Sequence, residues 1–183
     1  MAGAWSVVSF SIESTTPDRS TDILFAIGLM QVPVVISILA RYKENGTKHT
    51  LSDSELRGIK LVDYFSPNNP LPGEWDITTD ENEFDYVMLG RMSEAELFAT
   101  GTAKVGGASD CQNIIFWVST LKVEHKNIAA SVREPSGDDA HTGVTSSFNS
   151  RVIITSVAPP RVTIDDVETT RSPESFTAWI DNP

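Results

Sequence analysis

The residues with the clearest chemical potential are two histidines, because imidazole titrates near neutral pH and so serves as general base, proton carrier or metal ligand. His49 and His141 are each followed by threonine, and each comes after an apolar run that ends in arginine, Arg41 and Arg133. The functional expectation is a polar contact in two related binding sites, with the arginines in support; the plainer one is an ordinary solvated loop histidine. The third histidine, His125, is expected in a turn. Trp75 follows Pro72, Gly73 and Glu74 at a loop-to-strand edge, where an indole stacks on a sugar or a partner, with core or rim packing as the alternative. The candidate ligand-binding set is therefore Arg41, His49, Trp75, Arg133 and His141.

Catalytic motifs are missing from the chain. It has no Gly-x-Ser-x-Gly elbow, no phosphate loop ending in Gly-Lys-Ser, no His-Glu-x-x-His and no cysteine pair at metal spacing. Asp138-Asp139 beside His141, and Asp165-Asp166, lack the regular Asp/Asn spacing of a calcium loop and read as solvated turn residues. No catalytic residue, metal site or cofactor is assigned, and an enzyme is the less favoured reading.

The elements that must position these residues are strands, and they recur. The run ILFAIGLMQV at 23–32 lies over IIFWVSTLKV at 114–123, and ISILAR at 36–41 over IAASVR at 128–133. His49-Thr50 then meets His141-Thr142, IKLV at 59–62 meets VIIT at 152–155, and Pro67 meets Pro160, at an offset of about 92 residues. Short segments rich in Val, Ile, Thr and aromatics, bounded by Gly, Pro, Asn, Asp or Ser, predict strands at 7–12, 23–30, 34–42, 58–65, 74–79 and 84–89. A second set is predicted at 96–105, 114–123, 127–134, 150–157, 161–168 and 175–181. The expected fold is all-β: a tandem or duplicated β-sandwich, Ig-like or related, with two similar halves of about six strands each. The halves are 1–92 and 93–183, either separate or fused into one domain. Single turns of helix are expected at 52–56 and 93–97, each with an N-cap serine followed by acids. The unbroken apolar run at 114–118 predicts burial on both faces.

Composition sets the outer limits. A formal charge of −11 argues against nucleic acid or an anionic membrane as partner, since both call for a basic patch. The longest apolar stretch, 23–40, is broken by Gly28, Gln31, Pro33 and Ser37 and is too interrupted to span a bilayer. One cysteine, Cys111, excludes an intrachain disulfide, and the polar turn after Phe10 makes a poor signal peptide, so a cytoplasmic home is expected. The functional expectation is a soluble acidic, lectin-like binding protein that recognises a carbohydrate or protein ligand through sheet-end loops. The alternatives are a structural or toxin-component protein that self-assembles through open strand edges, for instance as a homodimer, and an enzyme with a His/Arg pocket between the halves.

Overall fold

The computed structural model describes residues 3–83 and 110–159. In chain order these form β1 (Trp5–Ser14), β2 (Thr21–Phe25), β3 (Val32–Tyr42), β4 (Lys48–His49), α1 (Asp53–Arg57), β5 (Lys60–Asp63), β6 (Trp75–Thr78), β7 (Gln112–Thr120), β8 (His125–Arg133), β9 (Asp139–His141) and β10 (Val152–Val157). The strands predicted at 84–89, 96–105, 161–168 and 175–181, the helical turn at 93–97 and the Asp165-Asp166 pair lie outside the described residues.

The strands build two sheets. One runs β1-β3-β7-β6, with β4 also on β3, and is antiparallel throughout. The other runs β2-β10-β8-β5, with β9 also on β8, and is parallel only where β2 meets β10. The main apolar core draws from both: Phe10, Ile36, Ile38 and Val118 from the first sheet, Leu24, Leu61, Ile128 and Ile154 from the second, while Val62, Tyr64 and Ala129 form a small separate cluster. Each such side chain contributes about 1.5–3 kcal/mol by leaving water. The described fold is thus nearly all β, in two sheets about one shared core.

Local chemistry accounts for the elements. In β1 the alternation carries Phe10 and Ile12 inward, and a bulge between Val7 and Ser9 restores the phase so that Trp5 is buried too. Val8, 50% exposed, is the extra residue. Residues 32–40 of β3 are buried on both faces, flanked by β1 and β7, although Pro33 and Ser37 interrupt the run in sequence. In β7 likewise Phe116 joins the shared core while Trp117, pointing the other way, is also buried. Pro33 sits where β1 no longer runs alongside, so its missing N–H costs no ladder bond there. Ser52 caps α1, and Glu55 reaches back to the Ser52 amide in a capping box; Gly58 ends the helix.

Three expectations change. The strand predicted over 23–30 stops at Phe25, because Gly28 turns the chain at a φ of 73° and donates its N–H to the Thr120 carbonyl at 3.0 Å. The His-Thr segments are not simple loops: His49 ends β4 and His141 ends β9, each the return strand of a hairpin. His125 opens β8 rather than forming a turn, with Nδ1 2.9 Å from Thr155 Oγ1. The sheets are also shared across residue 92, since β3 and β6 pair with β7, β2 with β10, and β5 with β8.

Candidate functional site

The two hairpins that carry the sequence candidates differ by one residue in their turns. Arg41 pairs with Lys48 across residues 42–47, whereas Arg133 pairs with Asp139 across the shorter 134–138. A one-residue change flips every later side chain to the opposite face. His49 accordingly lies opposite Ala40, on the core side, with Thr50 exposed. His141 lies opposite Ser131 on the outer face, and Thr142 turns inward, fully buried. The Thr142 hydroxyl accepts the Ala130 N–H at 3.0 Å.

His49 is closed in. Its ring stacks on Trp5 at 5.3 Å and meets Tyr42 edge-on at 4.9 Å. Nε2 is 3.2 Å from Glu55 Oε1, which also accepts the Trp5 indole N–H at 2.8 Å. Glu55 Oε2 accepts the Ser52 N–H at 2.7 Å and hydroxyl at 2.8 Å. Partial burial would raise the Glu55 carboxyl pKa, but the hydrogen bonds from Ser52, His49 and Trp5 outweigh it and bring it down to about 2. An ionised carboxylate only accepts, so the imidazole proton facing it resides on Nε2 and Nδ1 is left as the acceptor. Nδ1 is buried without a hydrogen-bond partner among the described residues. No ligand reaches it in this arrangement.

Arg41 is on the other face of the same hairpin, where its Nη1 donates to the Gly46 carbonyl at 2.8 Å and ties the turn. Arg41 and His49 therefore do not converge. Trp75 is 5% exposed, and its indole N–H donates to Glu124 Oε1 at 2.8 Å. Partial burial acts to raise the Glu124 pKa, yet Trp75 and Lys122 together hold it below the ordinary range. The indole packs at the rim of the core and offers no free face for stacking.

Arg133 and His141 do share a face. Cross-strand pairing puts Lys60 opposite Ser131 and Asp139 opposite Arg133, so β5, β8 and β9 present Lys60, Ser131, Arg133, Asp139 and His141 outward together. The 65–70 loop folds back over this face through a bridge between Val62 and Pro70. Between loop and sheet lies an open cleft of about 280 Å³, walled by Pro67 and Pro70, with Asn68, Lys60, Ser131, Arg133 and Asp139 lining it. His141 stands two pairs along the ladder from Arg133, its Nδ1 accepting the Gly143 N–H at 3.2 Å.

The loop wall is firmly held. Asp63 Oδ1 accepts the N–H groups of Phe65 and Ser66, and Oδ2 meets Lys126 Nζ at 2.7 Å. Partial burial raises the Asp63 pKa, but the Lys126 bond and charge and the two amides bring it below the usual range. The Tyr64 hydroxyl donates to Asn149 Oδ1 at 2.6 Å, and the Arg151 guanidinium covers its ring at 5.0 Å. Gly143 lies so close beneath the loop that a Cβ there would stand 2.6 Å from Pro67 Cγ and 2.9 Å from the Tyr64 carbonyl.

Sequence reasoning found Arg133 but missed Lys60, Asn68 and Ser131, and took Asp139 as a turn residue. The signal that could have found them is alternation: Lys60 and Val62 are two apart, as are Ser131 and Arg133, and each pair must share a face of its strand. Among the described residues no group of three His, Cys, Asp or Glu side chains converges as a metal site, and no helix is long and apolar enough to cross a membrane. No protein-family model, curated protein or solved structure matches this chain.

Proposed function

We propose that the chain is a binding protein which recognises a carbohydrate or protein partner through the cleft formed by Lys60, Asn68, Ser131, Arg133 and Asp139. The observation that carries the reading is the cleft itself: a concavity on the outer face of a sheet, lined by hydrogen-bonding groups and charges with apolar proline walls. The duplicated, Ig-like reading of the chain belongs to the same proposal, supported by hairpins β3–β4 and β8–β9, one in each sheet and each ending on His-Thr. Of the His/Arg pairs that the catalytic alternative could use, Arg41 and His49 lie on opposite faces, whereas Arg133 and His141 share one. Assembly through the edge of β1 loses support because two of its outward amides already have acceptors: Val7 N–H donates to Glu134 Oε1 at 2.9 Å and Ile12 N–H to Ser150 Oγ at 3.1 Å.

A glycan array followed by solution titration tests the reading. Binding to one glycan class is expected, with a loss of ten-fold or more in affinity on Arg133→Ala, on the order of a lost charge-assisted hydrogen bond. Glycan binding that is unchanged by Arg133→Ala and Lys60→Ala together would place the site elsewhere.

A further inference from the structure

Among the described residues, several cations of this acidic chain are paired with carboxylates. Lys43 pairs with Glu134 at 3.3 Å, Lys122 with Glu124 at 3.3 Å, Lys126 with Asp63 at 2.7 Å and Arg19 with Glu13 at 3.5 Å. Lys60 has no ion pair or hydrogen bond among the described residues, and it lines the cleft. Arg133 is 3.9 Å from Asp139, beyond hydrogen-bond distance, with its side chain 72% exposed. Its guanidinium donors are therefore available to a ligand. One cation without an ion pair among the described residues and one in a long, exposed ion pair thus line one small cleft in a chain of net charge −11.

The rest of the lining narrows the ligand. Among the described residues no aromatic side chain borders the cleft to stack on a sugar, and Trp75, the sequence candidate for that role, is buried. Asn68 and Ser131 offer both donors and acceptors, and the Asp139 carboxylate offers acceptors alone. A plain oxyanion would be repelled by Asp139; a polyhydroxylated one would give it hydroxyls to accept. The volume of about 280 Å³ falls just below that of sites for drug-sized ligands and suits one sugar-sized unit.

We propose that the cleft takes an anionic sugar unit, its carboxylate or phosphate held by Lys60 and Arg133 and its hydroxyls by Asn68, Ser131 and Asp139. The proposal rests on the binding reading above and specifies its ligand class. The charge-assisted contacts set orientation, and Asp139 separates sugar acids from bare anions.

The test is a titration of the full chain, followed by calorimetry or by chemical shifts, with glucose, glucuronate, glucose 6-phosphate and inorganic phosphate. Glucuronate or glucose 6-phosphate is expected to bind at least ten-fold more tightly than glucose and to weaken as salt rises. Which of the two binds better identifies the anionic group. Lys60→Gln and Arg133→Gln should each lower that affinity about ten-fold. Asp139→Asn should weaken the sugar acid while strengthening inorganic phosphate. Equal binding of glucose and glucuronate, both lost in the cleft variants, would overturn the anionic assignment and leave the binding reading intact. Tighter glucuronate binding by Asp139→Asn would reduce Asp139 to a counter-ion of Arg133 and overturn the hydroxyl assignment. No binding of any sugar, on the array or in titration, would overturn this assignment together with the carbohydrate part of the binding reading.

Discussion

The same dipeptide, His-Thr, ends a return strand in each of two hairpins, and the two copies do opposite things. At β4 the histidine is inside, stacked on Trp5 and bonded to Glu55, while its threonine faces water. At β9 the threonine is inside, bonded to the Ala130 amide, and the histidine joins Lys60, Ser131 and Arg133 on an outer face. The difference traces to one residue in the turn length, and it separates a corner that stabilises the fold from a face that remains open to a ligand. A motif shared by two segments therefore carries no shared role until its register is known.

The contrast is sharpest if the closed corner governs stability alone. Trp5→Ala removes a buried indole and its bond to Glu55, so a loss of about 3–5 kcal/mol is expected in chemical denaturation, with ligand affinity unchanged where the variant remains folded. A matching loss of cleft binding under those conditions would break the separation of the two regions.

Glu55→Gln keeps the shape and removes the charge that accepts from Ser52, His49 and Trp5; a loss of about 1–3 kcal/mol is expected. The pH dependence follows from the same group. Its folded pKa, about 2, lies below the ordinary value for glutamate. Its contribution is therefore complete above about pH 4.3, the ordinary unfolded value, and is lost as pH falls towards the folded pKa. Denaturation midpoints measured from pH 5 to pH 2 should fall more steeply for the wild type than for Glu55→Gln. Parallel slopes would show that Glu55 does not govern the acid response of the corner.

Gly143→Ala reaches the cleft from beneath. The new methyl collides with Pro67 and the Tyr64 carbonyl, so about 1–3 kcal/mol of stability should be lost together with ligand affinity, because the 65–70 wall must shift. A stability loss with wild-type affinity would show that the loop wall is not part of the site. The smallest stability effects belong to Lys60→Gln and Arg133→Gln, exposed side chains free of tight partners; changes within about 0.5 kcal/mol are expected beside the affinity losses already described. A large drop in the melting temperature of either variant would mean that the cleft cations hold the fold together.

Several local features were legible without coordinates. The N-cap Ser52 followed by acids announces α1, with Gly58 as its stop, and the unbroken apolar run at 114–118 announces burial on both faces, which Phe116, Trp117 and Val118 of β7 show. The boundaries of β2 were not legible, because Gly28 turns the chain inside an apolar stretch that reads as strand. Of the five candidate residues, Arg133 lines the cleft and His141 lies beside it on the same face, whereas His49 and Trp75 are packed and Arg41 secures a turn. The reason is physical: residue type states what a side chain can do, but strand phase decides whether it meets water, and phase is set by turn length and by the partner strand.

By itself, the amino-acid order determined the nearly all-β character of the described residues, the alternation within their strands, the cap of the short helix and a net negative charge. Tertiary structure alone decided which histidine is sealed and which is open, and it alone assembled the cleft. Lys60 and Asn68 are far along the chain from Arg133, and they meet it only because β5 pairs with β8 and the 65–70 loop folds back across them. Such pairing is fixed by the shared core on the far side of the sheet, through Leu61, Ile128 and Ala130, none of which touches the site that they create.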